Sequence, residues 1–297
     1  MTTTGLIPDR LLSDVKKGDR VLFLGADLPL GYSNAPLSRL KLAVALAESY
    51  DLPRGKSWSQ TATDYLSRFH NDRQGLITFI RRHNDGTQVA FGPMHRAIAW
   101  VGFRAIVTAW YDELLERTLR DAGYTVNRVV RDGQVAYAQE GEREVVVVKL
   151  YGCFSDPESL VLDIWDHDAL MENLSRKLEL ATAFCAIRPP LFVGFDLLNP
   201  TPRRLYLRAS RNMAEHMRRA YAIWPRDFER VKGAWYGKNV EFRRADATAF
   251  LEALAVQLPS ARVVEKRAKC VDRPPYKFLD YTRYGHKGPL TDNKANC

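Results

Sequence analysis

The fold is decided by residues 104–116, R-A-I-V-T-A-W-Y-D-E-L-L-E. This segment begins with a short apolar run, which is typical of a buried strand, and ends with leucines that recur on one face of a helix. Trp110 and Tyr111 lie between the two elements. In a parallel α/β sheet, ligands usually bind at the carboxyl ends of the strands, so this turn is a candidate binding site. The spacing alone favours a simpler interpretation, in which both aromatic side chains pack beneath the turn.

Strand and helix signals alternate along the rest of the chain. Continuous apolar runs predict further buried strands at residues 20–26, 144–150, 190–195 and 240–243. Helical spacing predicts helices at residues 37–49, 93–101, 166–184, 201–220 and 246–258. A hairpin is expected over residues 126–138, around Asp132-Gly133, and another short strand over residues 160–162. The alternation predicts an α/β fold with a Rossmann-like doubly wound parallel sheet.

Composition divides the chain into three parts. Residues 1–19 are expected to be a lead-in with a short amphipathic helix, and residues 20–260 to be the Rossmann-like domain. A small helical insertion is expected over residues 50–92, where apolar residues recur at helical spacing in a polar sequence. Residues 261–297 have little apolar content and are expected to form a basic linker and a disordered tail.

Composition also disfavours several classes of protein. No apolar run approaches the roughly 18 residues of a membrane helix, and the N-terminus lacks the pattern of a secretory signal. The four cysteines form no C-x-x-C pair, so neither a zinc site nor a disulfide framework is expected. His70, His83 and His95 match no metal-binding spacing and are interpreted as surface or capping residues. We therefore expect a cytoplasmic protein without a bound metal and without a membrane partner.

The net charge of +9 is concentrated in the last third of the chain. From residue 201 onward, 21 Lys and Arg stand against 10 Asp and Glu, an excess of +11 that leaves the first 200 residues at −2. Such a basic region is compatible with an acidic partner such as nucleic acid. A solvated helix surface is the favoured interpretation, because the sequence shows no aromatic residues interleaved with the cations as on surfaces that bind single strands.

The turns after the strands resemble, in the same order, those of the sirtuin-like family, and more closely its divergent branch in bacterial antiphage defence proteins. V-L-F-L-G-A-D at residues 21–27 resembles the family's strand and G-A-G loop, and V-T-A-W-Y-D-E-L-L-E at 107–116 its T-T-N-Y-D-x-L-L-E segment. V-V-K-L-Y-G-C-F-S-D-P-E-S-L-V-L at 147–162 resembles its K-L-H-G segment and the D-P-x-S-L-V stretch that follows. L-F-V-G-F-D-L-L-N-P at 191–200 resembles its V-G-Y-S-x-x-D-P turn, and residues 240–254 resemble its closing strand and helix.

The resemblance, which covers roughly residues 18–258, implies a nucleotide-binding crevice. Active members of the family cleave NAD between nicotinamide and ribose, so NAD or ADP-ribose is the implied ligand. The zinc module of the deacetylating sirtuins is absent here, because the chain has no C-x-x-C. Ligand contacts are then expected at the strand ends, from Gly25, Ala26, Asp27, Thr108, Trp110, Asp112, Tyr151, Gly152, Gly194, Asp196 and Asp246.

Three positions depart from the family pattern. Trp110 replaces an asparagine that helps to position water and ribose, and an indole N–H donates hydrogen bonds but accepts none. Tyr151 replaces a histidine that acts as a base, and a phenol has an ordinary pKa of about 10 against about 6.5 for imidazole. Asp27 replaces the third glycine of G-A-G. Asp112 is the carboxylate retained in the central turn, and its favoured role is to cap the helix that follows.

Three functions remain open at this point. The favoured one is a catalytically degenerate sirtuin-like module that serves as a regulatory or interaction domain in bacterial defence. The second is an NAD glycohydrolase that uses Tyr151 and Asp112, and the third is a nucleic-acid-binding module working through the basic last third. Residues 273–281, R-P-P-Y-K-F-L-D-Y, resemble the linker that leads into the ATPase of STAND-type sensors. The implied partners are therefore a second copy of the chain or a STAND-type ATPase.

Overall fold

In a computed structural model, the chain is described over residues 7–26, 37–84, 92–172, 175–195, 197–211, 213, 216–224 and 228–258. These residues form a seven-stranded sheet in the order β3-β4-β2-β1-β5-β6-β7, in which every neighbouring pair is parallel. The strands are β1 Val21–Leu24, β2 Ala105–Thr108, β3 Thr125–Val129, β4 Glu144–Lys149, β5 Pro190–Val193, β6 Ala220–Ile223 and β7 Val240–Arg243.

Helices connect the strands and cover both faces of the sheet. They are α1 Asp9–Lys17, α2 Arg39–Ser49, α3 Trp58–Arg68, α4 Arg73–Asn84, α5 Pro93–Val101, α6 Leu114–Asp121, α7 Ile164–Glu172, α8 Arg176–Ile187, α9 Pro200–Ser210, α10 Phe228–Ala234 and α11 Ala247–Val256. Two short 3-10 helices, Asp132–Tyr137 and Pro157–Ser159, lie in the connections on either side of β4.

The central strand β1 is buried on both faces, which explains its continuous apolar sequence. Val21 and Phe23 belong to a core layer that includes residues of α2, α3, α4, α8 and α9. Leu22 and Leu24 belong to the layer on the other face, with residues of α1, α5, α6 and α11. The predicted α/β fold with a doubly wound parallel sheet is therefore confirmed.

The order of the strands places a switch point at β1. From β1 the chain first builds β2, β3 and β4 on one side, and it then returns to the other side of β1 with β5, β6 and β7. Ligands of such sheets bind in the crevice outside the carboxyl ends of the strands at this point.

The hairpin predicted around Asp132-Gly133 is wrong. The first half is strand β3, which pairs in parallel with β4, and the second half is a 3-10 helix. The side-chain oxygen of Gln134 accepts the N–H groups of Val130 and Arg131, at 2.7 and 3.0 Å. A local side-chain acceptor therefore satisfies the backbone groups that a hairpin would have paired across two strands.

Two further predictions fail near the middle of the chain. Residues 160–162 are buried but pair with no strand among the described residues, so their apolar sequence reflects burial and not a sheet position. The helix predicted over residues 166–184 is two helices, α7 and α8. Ser175 has a non-helical ψ of 127° between them, and its hydroxyl donates to a carboxylate oxygen of Asp132 at 2.5 Å.

Strand β6 is absent from the sequence-based prediction. The helix expected over residues 201–220 ends at Ser210, and residues 220–223 form the missing strand. A-Y-A-I is too short to show a periodicity of its own, so only its place between β5 and β7 identifies it.

The lead-in and the insertion both contain the expected helices. Leu11 and Val15 are buried on one face of α1. Within residues 50–92, α3 and α4 bury Trp58, Tyr65 and Phe79 in the same core layer as β1. The predicted tail, residues 261–297, lies outside the described residues.

Candidate functional site

The strand ends singled out from the sequence lie side by side along one edge of the sheet. Thr108 of β2 is level with Leu24 of β1 and with Lys149 of β4, and Leu24 is level with Val193 of β5. The turns after these four strands therefore meet around the switch point. The turn at Arg244 does not join them, because β6 intervenes and places it two strand spacings, about 10 Å, beyond β5.

Gly25 is required by the close approach of two backbones. A Cβ at this position would lie 2.0 Å from the carbonyl oxygen of Gly194. The N–H of Gly25 donates to the carbonyl of Val193 at 2.9 Å, so it is used in the sheet and is not offered to a phosphate. The carbonyl of Ala26 accepts the N–H of Arg39 at the start of α2, at 3.1 Å. The described part of this loop therefore joins β1 to β5 and α2.

Trp110 links the turn after β2 to the turn after β1 on one face of the sheet. Its side chain is only 7% exposed, and its indole N–H donates to the carbonyl oxygen of Gly25 at 2.8 Å. The hydroxyl of Thr108 accepts its backbone N–H at 3.1 Å. Its ring packs against His95, with the ring centroids 5.1 Å apart. Trp110 is thus a structural link between two of the expected ligand-binding turns.

His95 is part of the core, so its interpretation as a surface or capping residue was wrong. It is fully buried beneath Trp110. Burial, reinforced by the charge of Arg96, lowers its pKa to about 4. The imidazole is therefore neutral at pH 7.

Tyr151 and Tyr111 belong to the opposite core layer. Tyr151 is only 1% exposed, with the guanidinium carbon of Arg39 4.1 Å from its ring centroid and the ring of His167 in T-shaped contact at 4.8 Å. The hydroxyl of Tyr111 donates to the carbonyl of Val161 at 2.8 Å. Trp110 and Tyr111, the aromatic pair of the central turn, are therefore both packed in the core, and the interpretation that they lie beneath the turn is confirmed. They lie on opposite faces of the sheet.

A buried cluster of charged groups supports the same turn from below. The ammonium group of Lys149 lies 3.1 Å from a carboxylate oxygen of Glu116, and both side chains are 0% exposed. Lys149 also donates to the backbone carbonyl of Asp112. Burial alone would lower the pKa of Lys149, but Glu116, Cys153 and Asp112 raise it above its ordinary value. The lysine is therefore charged at neutral pH and holds the start of α6 against the end of β4.

Asp112 lies one residue before Glu113, the N-cap residue of α6, so it is not the capping residue itself but contacts the first turn of the helix. Its carboxylate accepts the N–H of Leu114, the first residue of α6, at 2.9 Å. Burial raises its pKa from 3.8 to about 6, although the charge of Lys149 and the bond from Leu114 oppose the shift. A carboxyl group with such a pKa exchanges its proton close to neutral pH.

Asp112→Asn should remove a pH dependence of stability between about pH 4 and pH 6. Because the native pKa lies above the unfolded value, the unfolded chain loses this proton first, and stability falls as the pH rises through this window. The fall attributable to Asp112 is at most about 3 kcal/mol. Urea titrations at several pH values from pH 4 to pH 7 give the free energy of unfolding of wild type and variant. The difference between the two should change with pH. Asp246→Asn, at an exposed helix cap, is the matched control, and a difference that stays constant with pH would contradict the assignment.

The remaining residues predicted to contact a ligand lie in different surroundings. Thr108 is fully buried, and Gly152 and Gly194 have positive φ values of 87° and 64° at the ends of β4 and β5. Asp246 is at the cap of α11, where its carboxylate accepts the N–H of Ala249 at 2.9 Å. Asp27 and Asp196 lie outside the described residues.

Four residues of this edge were missed in the sequence: Arg39, His167, Lys149 and Glu116. A signal for two of them was present, because Lys149 ends a continuous apolar strand and Glu116 shares the leucine-rich face of α6. Charged residues at buried positions are expected to pair. Arg39 and His167 carry no such local signal, since their contacts with Tyr151 arise only in the folded chain.

The described part of the chain contains no group of three His, Cys, Asp or Glu side chains that is arranged to hold a metal ion. None of its helices is both long and apolar enough to span a membrane.

Two curated proteins are similar in sequence to most of this chain. The NAD(+) hydrolase ThsA of Acinetobacter baumannii is 22% identical over 238 residues, which cover 79% of this chain and 47% of that protein. ThsA of Enterococcus faecium is 24% identical over 224 residues, which cover 72% of this chain and 45% of that protein. The chain thus spans about half the length of the curated relatives it matches.

A solved structure and a family model complete the comparison. The structure, described as the structural basis for the mechanism and regulation of Sir2 enzymes, aligns with a TM-score of 0.45 at 14% identity and covers 84% of this chain and 95% of that chain. Residues 104–243 match the family model of the SIR2-like domain. They contain the central turn, the K-L-Y-G segment and the strands from β2 to β7. Residues 104–243 are therefore similar to a SIR2-like domain.

Proposed function

We propose that this protein is a SIR2-like module that has lost NAD cleavage and serves as a regulatory or interaction domain in bacterial defence. One observation carries the proposal. Trp110 and Tyr151, which take the places of the asparagine and histidine of NAD-cleaving members, are both buried and both held by other groups of the protein. The two similar proteins named NAD(+) hydrolase ThsA support the link to NAD.

The contacts of Trp110 are incompatible with the role of an asparagine. An amide offers a carbonyl and an N–H together, and so can orient a water between itself and ribose. The indole N–H of Trp110 is used by the carbonyl of Gly25. The side chain has no acceptor to offer a water, so the position stabilises the turns and does not prepare a nucleophile.

The surroundings of Tyr151 do not supply a replacement base. His167, which touches its ring, has a pKa lowered to about 4 by burial and by the charge of Arg39, against the opposing effect of Asp166. An imidazole with so low a pKa is a weak proton acceptor. The positive charge of Arg39 over the phenol ring would also oppose the approach of a cationic nicotinamide.

The ligand and partners follow from the same reasoning. We propose that the crevice binds NAD or ADP-ribose without turnover, through the turns of β1, β2, β4 and β5. The partner is proposed to be a second copy of the chain or a STAND-type ATPase. The resemblance of residues 273–281 to a STAND linker supports the second of these.

The alternative function is NAD hydrolysis through Tyr151 and Asp112. The pKa of Asp112, about 6, favours this alternative, because an acid or base with a pKa near the working pH transfers protons efficiently. Against it, the carboxylate of Asp112 is buried and already accepts the N–H of Leu114.

The test is NAD turnover by the purified full chain, followed by chromatography of released nicotinamide, together with calorimetric titration of NAD. We expect saturable heat that returns to baseline and no nicotinamide above a protein-free blank. Nicotinamide release by wild type that Tyr151→Phe or Asp112→Asn lowers at least about tenfold, a loss of about 1.4 kcal/mol of transition-state stabilisation, would establish the alternative. Tyr206→Phe is the matched control, because it removes a buried hydroxyl that contacts Lys238, away from the crevice.

A further inference from the structure

A basic surface lies at the amino ends of β6 and β7, at the end of the sheet opposite the crevice. It consists of two adjoining hollows of about 320 and 410 Å³ that share the turn at residues 237–239. Residues just before β6 and β7 line both hollows, together with the end of α9 and the end of α10. These residues lie outside the crevice, so the surface is independent of the proposed function.

The shared turn is firmly anchored. The hydroxyl of Tyr206 donates to the carbonyl of Lys238 at 2.6 Å, and the side-chain amide of Asn239 donates to the carbonyl of Met217 at 2.7 Å. The N–H of Lys238 also bonds to the carbonyl of Trp235 at 3.1 Å. This backbone is therefore preorganised next to the exposed residues Tyr236 and Lys238.

Positive charge dominates the lining of the basic surface. The exposed cations are Arg211, Arg219, Lys232 and Lys238. The carboxylate in the lining is Glu241, which is already bonded to Arg219 at 3.1 Å and to Arg243 at 2.5 Å. An anion approaching the surface would therefore meet an excess of positive charge.

Tyr236 adds an exposed aromatic ring to these cations. It lines one hollow beside Lys232 and Lys238, and it is 91% exposed. Aromatic rings among cations are the pattern of surfaces that bind single strands, where bases stack on the ring and phosphates contact the cations. Residues 232–238, K-G-A-W-Y-G-K, already interleave aromatic residues with cations in the sequence, so the expectation that no such pattern is present was wrong. The fold adds Arg211 and Arg219 from two other segments.

We propose that the basic surface binds single-stranded nucleic acid, with a base stacked on Tyr236 and with phosphates at Lys238 and Arg211. The distance between the amino and carboxyl ends of the strands keeps this site separate from the crevice. A nucleic acid bound here would therefore leave the crevice accessible.

Fluorescence anisotropy of a labelled single-stranded RNA or DNA of about 16 nucleotides tests the proposal on the full chain. Wild type should bind saturably, and the affinity should fall steeply as salt is raised. Tyr236→Ala should weaken binding by about 5- to 150-fold, because one stacked base is lost. Tyr137→Ala is the matched control, since Tyr137 is also highly exposed, at 73%, but lies between β3 and β4 near the other edge of the sheet. Equal effects of the two variants would overturn the stacking assignment.

The phosphate contacts are tested by the salt dependence. Removing two contacts, in Arg211→Ala/Lys238→Ala, should reduce the slope of log affinity against log salt by about 1.4. Arg120→Ala, at an exposed arginine of α6, should leave the slope unchanged. Full binding by the double variant would overturn the proposal and assign the affinity to another basic segment. Polyglutamate that competes as well as the single strand, or tighter binding of a duplex than of a single strand, would also overturn the proposal. Unfolding curves check that each variant is folded.

Discussion

Replacing Lys149 by methionine should lower the free energy of unfolding by about 3–5 kcal/mol, because the change leaves Glu116 as a buried carboxylate without its partner. Both side chains are 0% exposed and their charged atoms are 3.1 Å apart. Lys149 also holds the carbonyl of Asp112, so the start of α6 loses a contact at the same time. Urea unfolding followed by circular dichroism measures the loss.

Two comparisons make this result specific. Lys56→Met breaks an ion pair of similar length, 2.7 Å from Asp64, whose members are 38% and 26% exposed, and it should cost less than about 1 kcal/mol. The double variant Lys149→Met/Glu116→Leu removes both buried charges and should recover most of the stability lost in the single variant. If Lys149→Met lowers the free energy of unfolding no more than Lys56→Met does, the buried ion pair contributes no more stability than the exposed one, contrary to what its geometry indicates.

Gly152→Ala should destabilise the protein by about 2–5 kcal/mol. A left-handed backbone costs a residue with a Cβ about 1–2 kcal/mol, and overpacking a tight site typically costs a further 1–3 kcal/mol. Gly152 has a φ of 87°, and a Cβ there would lie 2.2 Å from the carbonyl oxygen of Ser159. Because the oxygen belongs to the backbone, the turn after β4 must shift to accommodate the methyl group.

Gly123→Ala separates the cost of the left-handed backbone from the cost of overpacking. Gly123 has the same φ of 87°, but a Cβ there would have no neighbour within 4 Å. This variant should show only the backbone strain, about 1–2 kcal/mol. Equal losses in the two glycine variants would show that the contact with Ser159 contributes nothing.

Under the proposed function, the contacts of Trp110 and Tyr151 would explain a loss of NAD cleavage as a change of use for these two positions. In the proposed function, Trp110 and Tyr151 no longer face a substrate but link the β1 turn to the β2 turn and pack against Arg39. Under this proposal, each replacement stabilises the carboxyl end of the sheet while removing a group that hydrolysis would need. A module of this kind can report on a ligand or a partner without consuming NAD.

The sequence by itself determined the parallel sheet and the position of its central turn. Strand β7 and helix α5 have the predicted bounds, because continuous apolar runs and helical spacing express local burial directly. The order of the turns also led to the sirtuin-like resemblance, which the family model then confirmed. Even the replacements at Trp110 and Tyr151 were readable, since they depend only on residue type.

The tertiary structure alone decided what those residues contact. The bond from Trp110 to Gly25, the position of Arg39 over Tyr151, and the pairing of Lys149 with Glu116 join segments far apart in the chain. Strand β6 and the false hairpin have the same explanation, because a four-residue strand and a D-G turn carry too little local preference to outweigh pairing and burial. Sequence periodicity records which face of an element is buried, whereas the partner that buries it is set by packing across the sheet.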